Sequence, residues 1–351
     1  MKKSLNAMRI WIHPDFDPMY YGFYFEGMRR LFGAHCIKIG MSHFDGKSAL
    51  SSSNKLSFRF IVEQGSSHKN ISIEGDDGAG FDPVTIEWSD YVGKVNYLDK
   101  AIPPSLLGRV LPIGPSFGIR VWNSIDTLSR IVSLIRTPLT NYRRRQLFKL
   151  YLRQNLRRMP ERAYRPRQSD PNYIFFLAKG YFKHADVNPS RALFMQICKS
   201  MPGLSFEGGF VLEKKGSLLD QTALPFATRK YYFEEYLEKT AHSAVVFNTP
   251  AVHGCLGWKL GEFLAMGKAI ISLPLNRDMP EPLVHGKHIH FINESNSEIA
   301  DAVNLLRHDH NYRRNLETNA RAYYNKYLSP TAAITRLFSF AQIEITKMAG
   351  E

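Results

Sequence analysis

Residues 243–273 read SAVVFNTPAVHGCLGWKLGEFLAMGKAIISL and contain two kinds of apolar segment. Ser243–Asn248 and Ala269–Leu273 are short runs rich in apolar and β-branched residues, as buried strands are. Between them, Gly257–Met266 consists mainly of helix-forming residues and follows a turn that contains Gly254. A strand, a helix and a second strand in this order predict a parallel β-α-β unit.

The same alternation extends through the second half of the chain. Strands are predicted at Tyr173–Ala178, Leu204–Leu212 and His288–Ile292, and helices at Asn188–Met201, Lys230–Thr240, Asn296–Arg307, Tyr312–Tyr324 and Thr331–Met348. Strands separated by helices of this length predict a doubly wound, Rossmann-like parallel sheet over residues 171–327.

The first half alternates less regularly. It contains a predicted helix at Tyr24–Phe32 and predicted strands at Met8–Ile12, His35–Ile39, Ser57–Val62, Ile71–Ile73, Thr85–Trp88 and Arg109–Ile113. Three prolines and several arginines between Pro160 and Pro171 mark a linker. We therefore expect an α/β protein whose first domain covers residues 1–165 and whose second covers residues 171–327.

Length and composition are those of a soluble protein with more than one core. The chain has 351 residues, 44% of them apolar and 22% charged, and this length suits two ordinary domains. No apolar run approaches the roughly 18 residues of a membrane span, and Met8–Ile12 is too short for a signal peptide. The cysteines Cys36, Cys198 and Cys255 have no metal-like spacing. A cytoplasmic protein with reduced thiols is expected.

The formal net charge of +14 is concentrated in one segment. Between Asn141 and Arg167, ten basic residues accompany a single acid, Glu161. The basic residues that recur every four positions, and that a helix would gather on one side, are Arg145, Lys149, Arg153 and Arg157. Three interpretations remain open: a solvated helix, docking on an anionic membrane surface, and nucleic-acid binding. The last has no accompanying nucleic-acid motif.

The turn before the helix at Gly257 is suited to an anion. Ligands of open parallel sheets bind beyond the carboxyl ends of the strands, where the loop into the next helix begins. Here the loop contains Gly254 and Gly257, which allow close approach to the backbone. Free amides of the first helical turn and the positive end of the helix dipole favour a diphosphate. Glu262, one turn into the helix, has two oxygens that can accept hydrogen bonds from two ribose hydroxyls.

A family resemblance becomes visible from Glu262 onward. Residues 262–271 read EFLAMGKAII and residues 279–286 read MPEPLVHG. The pattern resembles the nucleotide-sugar-binding half of GT-B glycosyltransferases of the group 1 or family 4 type, which carry E-A-x-A-x-G-x-P-V-I and P-E-x-x-x-x-G. The resemblance implies two Rossmann-like domains facing across a cleft, with a C-terminal helix, residues 328–351, returning to the first domain.

The resemblance also implies a donor site. Glu262 matches the family's ribose-binding glutamate, and Gly257 matches a glycine of the phosphate turn. Lys179 takes the place of the basic residue that meets the diphosphate, with Lys183 as a second. The remaining residues of this predicted site are His253, Gly254 and Trp258. The family's motif has a pair of glutamates, and the first of them would fall at Gly254. With this departure the chain resembles a divergent, CAP10-like branch.

The first half is expected to supply the catalytic base. His13 ends the first predicted strand and resembles in position the base histidine of inverting GT-B enzymes. Asp15 or Asp17 would orient its ring. Asp15-Phe16-Asp17 also spells D-x-D, the metal signature of the other glycosyltransferase fold, but it follows the first strand too soon for that fold. No metal is expected, because a helix dipole and basic side chains can hold the leaving diphosphate.

The sequence thus predicts a metal-independent glycosyltransferase without a cofactor. It would move a sugar from a nucleoside-diphosphate donor to a glycan or lipid-linked acceptor in cell-surface polysaccharide or lipopolysaccharide synthesis. We expect it in the cytoplasm, peripheral at the inner face of the cell membrane, with no nucleic-acid partner. A base at His13 favours inversion, whereas the resemblance of the donor half favours retention. Two alternatives stay open: a nucleotide-sugar 2-epimerase on the same fold and a non-catalytic polyanion-binding protein.

Overall fold

The computed structural model describes residues 8–44, 57–181, 185–211 and 226–345. The chain divides into two compact units. Unit 1 comprises Met1–Glu161, Arg277–Glu281 and Lys326–Glu351, and unit 2 comprises Arg162–Asn276 and Pro282–Asn325. Both units combine helices with parallel strand pairs, which confirms the predicted α/β class.

Unit 1 is built on one six-stranded sheet. Its strands are β1 (Arg9–Ile12), β2 (Ile37–Ile39), β3 (Ser57–Gln64), β4 (Ser67–Glu74), β5 (Tyr91–Lys94) and β6 (Val110–Pro112), and its first four helices are α1 (Pro18–Phe32), α2 (Pro83–Trp88), α3 (Ser124–Ile135) and α4 (Asn141–Arg157). The strand order is β2-β1-β3-β4-β5-β6. β3 is antiparallel to both of its neighbours, and the other pairs of this sheet are parallel.

The antiparallel strand follows from a two-residue turn. Gly65, in the left-handed region at φ 64, and the next residue connect β3 to β4. A parallel crossover needs a dozen or more residues, so a connection this short forces a hairpin. The sheet of unit 1 is therefore mixed, which the separate strands predicted at Ser57–Val62 and Ile71–Ile73 did not indicate.

The strand predicted at Thr85–Trp88 is wrong, because these residues belong to α2. The Asp82 carboxylate accepts the Thr85 amide hydrogen at 3.3 Å, and Pro83 occupies the first position of the helix. An aspartate cap followed by proline favours a helix start over a strand. The helix-start signal of Asp82 and Pro83 therefore outweighs the strand-like pattern of Thr85–Trp88.

Helix α1 supplies much of the core of unit 1. The Asp17 side chain accepts the Met19 amide hydrogen at 2.7 Å and begins the helix at Pro18, before the predicted start at Tyr24. The ring of Tyr21 stacks on that of Phe58 in β3, with 5.5 Å between their centres. The other aromatic side chains that α1 buries are Phe23, Tyr24, Phe25 and Phe32.

Unit 2 contains two three-stranded parallel sheets that lie side by side in the predicted doubly wound arrangement. Its strands are β7 (Tyr173–Lys179), β8 (Ser205–Val211), β9 (Ala227–Thr228), β10 (Val245–Asn248), β11 (Ala269–Ser272) and β12 (His290–Phe291), and its helices are α5 (Pro189–Ser200), α6 (Phe233–His242), α7 (Trp258–Ala265), α8 (Asn296–His308) and α9 (His310–Tyr323). Parallel pairing joins β7-β8-β9 and β10-β11-β12. The Ala244 amide donates to the Tyr173 carbonyl at 2.8 Å, so β10 starts beside β7. The order across unit 2 is thus β9-β8-β7-β10-β11-β12.

Helix α10 (Pro330–Phe340) belongs to unit 1 and packs on α1. Phe338 stacks on Phe32 with 5.1 Å between the ring centres. A Cβ atom added to Gly27 of α1 would lie 2.0 Å from the Pro330 carbonyl oxygen, so the two helices approach closely there. The helix ends at Phe340, and residues 346–348 of the predicted helix lie outside the described residues. Among the helices of the described ranges, none is long and apolar enough to cross a membrane.

We expect Gly27→Ala to lower the free energy of unfolding by about 1–3 kcal/mol, because the added methyl group overlaps backbone rather than a side chain that can move. Urea denaturation measures the change. Gly40→Ala is the matched control, since a Cβ atom there meets nothing within 4 Å, and its effect should stay within about 0.5 kcal/mol. Equal effects of the two substitutions would contradict the close contact.

Candidate functional site

The carboxyl ends of β7 and β10 lie where the strand order of unit 2 reverses. From β7 the chain continues outward to β8 and β9, whereas β10 starts on the other side of β7. At such a switch point the loops after the two strands diverge, and ligands of open parallel sheets bind in the crevice between them. The loops follow Lys179 and Asn248, so this edge joins the two sequence regions that supply the predicted donor site.

Tyr181, two residues after β7, is bonded to Asn188 at the start of α5. The Asn188 side chain accepts the Tyr181 amide hydrogen at 3.2 Å and donates to the Tyr181 carbonyl at 2.5 Å. Lys179 is exposed, and its Nζ lies 5.1 Å from the centre of the Tyr181 ring. The first predicted cation is thus at the edge of the crevice. The second, Lys183, lies outside the described residues.

Arg191 of α5 connects the two sides of the crevice. Its Nε donates to the Thr249 hydroxyl at 3.1 Å, and its NH1 donates to the Lys179 carbonyl at 3.5 Å. The guanidinium carbon lies 5.7 Å from the centre of the Tyr181 ring. Burial lowers the pKa of Arg191 below its ordinary value. This desolvated charge would be stabilised by an anion bound beside it.

The loop after β10 makes a tight turn before α7. His253, which is exposed, and Gly254 both adopt positive φ angles, 58 and 69. A Cβ atom on Gly254 would lie 3.0 Å from the Asn276 side chain, so both backbone and space favour glycine there. Gly257 is the cap of α7 at φ −74 and needs no glycine for its conformation. It has no side chain to cap the helix, and Trp258, half-buried, is the first helical residue.

The turn residues form part of a narrow recess at this edge of the sheet. Its lining comes from the loop after β10, the start of α7 and the loop after β11: Asn248, Thr249, Pro250, Gly254, Cys255, Leu256, Gly257, Leu260, Leu275 and Asn276. The recess thus includes the start of a helix, where backbone amides can bind an anion.

Glu262 is buried within α7, with only 4% of its surface exposed. The Tyr236 hydroxyl of α6 donates to its Oε2 at 2.8 Å. Burial and the neighbouring carboxylate raise the pKa of Tyr236 well above its ordinary value, which keeps this donor protonated. The carboxylate identified from the sequence is therefore an oriented interior group and not a solvated surface acid.

Lys259 lies one turn before Glu262 on α7 and is half-buried. Its Nζ donates to the Leu177 carbonyl of β7 and lies 5.1 Å from the centre of the Phe176 ring. Burial and the positive charge of Arg191 lower the pKa of Lys259 to about 7, against an opposing effect of Glu262. The positive charge of Arg191 therefore acts on the protonation of Lys259.

The arrangement combines an excess of positive charge with one carboxylate. The cations are Lys179, Arg191 and Lys259, and the uncapped first turn of α7 adds backbone donors. Such a set can bind a multiply charged anion, while Glu262 can accept hydrogen bonds from neutral hydroxyls. A phosphorylated ligand with a polyol part fits both requirements.

Two of these cations were not predicted from the sequence. Lys259 is three residues before Glu262, so helical spacing alone places them near each other and supplies a usable signal. Arg191 bonds a residue 58 positions away, and no local pattern indicates that contact. Tyr236 was missed for the same reason.

His13 follows β1 in unit 1 and is a neutral, buried imidazole. Its Nδ1 accepts the Asp15 amide hydrogen at 3.2 Å, so the ring hydrogen is on Nε2. Burial and the charge of Arg59 lower the pKa of His13 to about 3. Nε2 has no hydrogen-bond partner among the described residues. A base must present a lone pair, so the predicted role of His13 requires the other tautomer and stays a prediction.

Asp15 and Asp17, the residues expected to orient the His13 ring, both have partners for their carboxylates. The Asp15 carboxylate accepts from Arg143 Nε at 2.5 Å. The Asp17 carboxylate caps α1, and burial raises its pKa. Asp15 contacts the imidazole through its backbone amide, and an orienting role for either aspartate stays a prediction. The two carboxylates thus have structural partners in unit 1.

In the described ranges, no three His, Cys, Asp or Glu side chains come together so that they could hold a metal ion.

The basic segment forms the predicted helix, α4. Its buried side chains are Leu147, Tyr151 and Gln154. The four cations of the predicted row, all exposed, are Arg145, Lys149, Arg153 and Arg157. The row therefore faces solvent in unit 1.

No protein-family model and no curated protein matches the chain. Similar solved structures include the C-terminal domain of a group 1 family glycosyl transferase, LpcC, from Francisella tularensis (14% identity, TM-score 0.35), with 48% of this chain and 97% of that domain covered. HepE from Anabaena, in complex with UDP and glucose, is 12% identical with a TM-score of 0.42, over 74% of this chain and 64% of that one. UDP-GlcNAc 2-epimerase from Neisseria meningitidis is 13% identical with a TM-score of 0.39, over the same shares. The chain thus spans just under two thirds of the length of the last two proteins. All three TM-scores are below 0.5, so the functional proposal is based on the site itself.

We expect Lys259→Met to change the pH dependence of stability. The pKa of Lys259 is about 7 in the folded chain, against an ordinary value of 10.5. Between these values the unfolded chain binds more protons, so wild-type stability rises with pH, by at most about 1.4 kcal/mol per pH unit, and the variant lacks this contribution. Urea denaturation at several pH values within the interval measures it. Lys287→Met, at an exposed lysine, should keep the wild-type dependence. If the free energy of unfolding changed with pH equally in wild type and Lys259→Met, the lowered pKa would be contradicted.

Proposed function

We propose that the chain is a glycosyltransferase that moves a sugar from a nucleoside-diphosphate donor to a glycan or lipid-linked acceptor. The observation that carries the proposal is the pairing of Arg191, which joins the ends of β7 and β10, with the buried carboxylate of Glu262 on α7. A diphosphate and a ribose present the two chemistries that these groups bind: a multiply charged anion and neutral hydroxyls. Sequence resemblance to GT-B glycosyltransferases supports the same assignment at Glu262, Gly257 and Lys179.

In the proposed reaction the acceptor hydroxyl oxygen forms a bond to C1 of the sugar. The bond from C1 to the diphosphate oxygen breaks, and its electron pair leaves with the nucleoside diphosphate. The hydroxyl proton passes to a base, for which His13 is the sequence-based candidate. Lys179, Arg191 and the first turn of α7 would stabilise the charge that develops on the diphosphate, so the proposal needs no metal.

We further propose that the acceptor belongs to cell-surface polysaccharide or lipopolysaccharide synthesis. A lipid-linked acceptor is presented at a bilayer, so the protein would work in peripheral contact with the inner face of the cell membrane. The exposed basic row of α4 supports this part of the proposal, because anionic headgroups attract such a row.

Nucleoside diphosphates should stabilise the protein. We expect one of UDP, GDP and ADP to raise the melting temperature, with about 2.7 kcal/mol of stabilisation at a hundred times its dissociation constant. Glu262→Gln should make the shift clearly smaller, because it keeps an acceptor for Tyr236 but weakens the hold on the ribose hydroxyls. Glu238→Gln, at an exposed glutamate on α6, should leave it unchanged. If no nucleotide stabilises the wild type, the proposal fails.

Arg191→Leu should weaken nucleoside diphosphate binding by at least about tenfold, as loss of a charge-assisted contact does. The corresponding nucleoside, without phosphate, should lose much less, because Arg191 lies among the diphosphate ligands. Isothermal titration of both ligands measures the difference. Lys199→Gln, at the far end of α5 and exposed, is the control for net charge. Equal losses for nucleoside and diphosphate would contradict the role of Arg191.

A product assay separates the transferase from the epimerase alternative. A transferase releases nucleoside diphosphate only when an acceptor is present, whereas an epimerase converts the donor sugar without any acceptor.

A further inference from the structure

Helices α3 and α4 form a fixed antiparallel hairpin on unit 1. The Arg144 guanidinium donates to the Leu134 carbonyl at 3.0 Å and to the Thr137 carbonyl at 3.2 Å, which ties the end of α3 to the start of α4. At the opposite end, the Asn155 side chain donates to the Trp122 carbonyl at 3.0 Å. The outer faces of the two helices are therefore one defined surface.

The outer face of α3 is apolar. Its exposed side chains, spaced at three and four residues, are Ile125 (80% exposed), Leu128 (62%), Val132 (48%) and Ile135 (67%). We call these four residues the apolar stripe. On α4, Tyr142 (73%) and Leu156 (75%) are exposed as well. A soluble protein seldom leaves such a row of large aliphatic side chains in water unless a partner covers it.

The outer face of α4 is basic, and we call Arg145, Lys149, Arg153 and Arg157 the basic row. Asp126 is the single acid in the sequence between Ser124 and Arg158. A second copy of the chain, also at +14, would place two basic rows near each other and repel. An anionic phospholipid surface complements both faces, because it offers an apolar boundary beneath negative headgroups.

We propose that the α3–α4 hairpin docks on an anionic phospholipid bilayer. The apolar stripe enters the boundary between headgroups and acyl chains, and the basic row lies on the headgroups. This inference rests on the proposed function in one respect: docking would bring unit 1 to a lipid-linked acceptor. It assigns the contact to the stripe on α3 as well as to the basic helix.

Vesicle cosedimentation tests the docking surface. Wild type should bind phosphatidylcholine vesicles that contain about 30% phosphatidylglycerol and should bind pure phosphatidylcholine weakly. Ile125→Ser with Leu128→Ser should weaken binding to the anionic vesicles by at least about tenfold, because apolar area no longer leaves water. Arg145→Ser with Lys149→Ser should weaken it most at low salt. The control, Val284→Ser with Leu305→Ser, removes exposed apolar side chains of unit 2 and should bind as wild type does.

Fluorescence quenching measures whether the apolar stripe inserts into the bilayer. Leu128→Trp places a fluorophore in the stripe, and brominated acyl chains should quench it in anionic vesicles, whereas a tryptophan that remains in water would not be quenched. Vesicle binding that is unaffected by the stripe substitutions, or an unquenched tryptophan, overturns the proposal. A solution mass of twice 40.2 kDa that the stripe substitutions halve also overturns it, since the stripe would then cover a second copy.

The same variants distinguish this proposal from the proposed function. Thermal stabilisation by nucleoside diphosphate should be unchanged in the stripe and row variants, because they alter unit 1 only. If nucleotide stabilises the protein but the hairpin substitutions do not change vesicle binding, the docking proposal alone fails. If vesicles bind through the hairpin and no nucleotide stabilises the protein, the transferase proposal alone fails.

Discussion

The architecture of unit 2 depends on how Ser243 and Lys268 fix the start of β10 beside β7. The Ser243 hydroxyl accepts the Phe175 amide hydrogen at 2.9 Å and donates to the Val245 carbonyl at 2.6 Å. Lys268, almost fully buried, donates from Nζ to the Ala241 and Ser243 carbonyls at 2.8 and 2.5 Å. Burial lowers the pKa of Lys268 to about 8. These bonds satisfy buried carbonyls at the end of α6 and place β10 on the side of β7 opposite β8, which creates the switch point.

The candidate site draws on residues that are distant in sequence. Arg191 comes from α5, Tyr236 from α6, and Lys259 and Glu262 from α7. An unliganded carboxylate in a buried helix is costly unless its environment compensates. Here Tyr236 donates to it and Lys259 provides charge one turn away. Glu262 is therefore already oriented before any ligand arrives, as a preorganised binding group should be.

The second half of the fold could be predicted because its strands are short apolar runs between helices with clear periodicity. In the first half, the same rules missed the hairpin at Gly65, because one glycine in a polar turn does not reveal whether the flanking strands pair. They also assigned Thr85–Trp88 to a strand, although Asp82 and Pro83 already formed a helix-start signal. For the site, Glu262 and Gly254 stand out locally. Arg191 does not, because its partners are brought to it only by the tertiary fold.

The mutual repulsion of Arg191 and Lys259 gives the crevice a preference for anions beyond simple attraction. The charge of Arg191 contributes to lowering the pKa of Lys259 to about 7, so near neutral pH part of the population has an uncharged lysine. An anion held near both groups would favour the charged form and raise that pKa again. Ligand binding and protonation of Lys259 would then be linked, and each would strengthen the other. A neutral ligand offers no such linkage, so its binding would not change the protonation of Lys259.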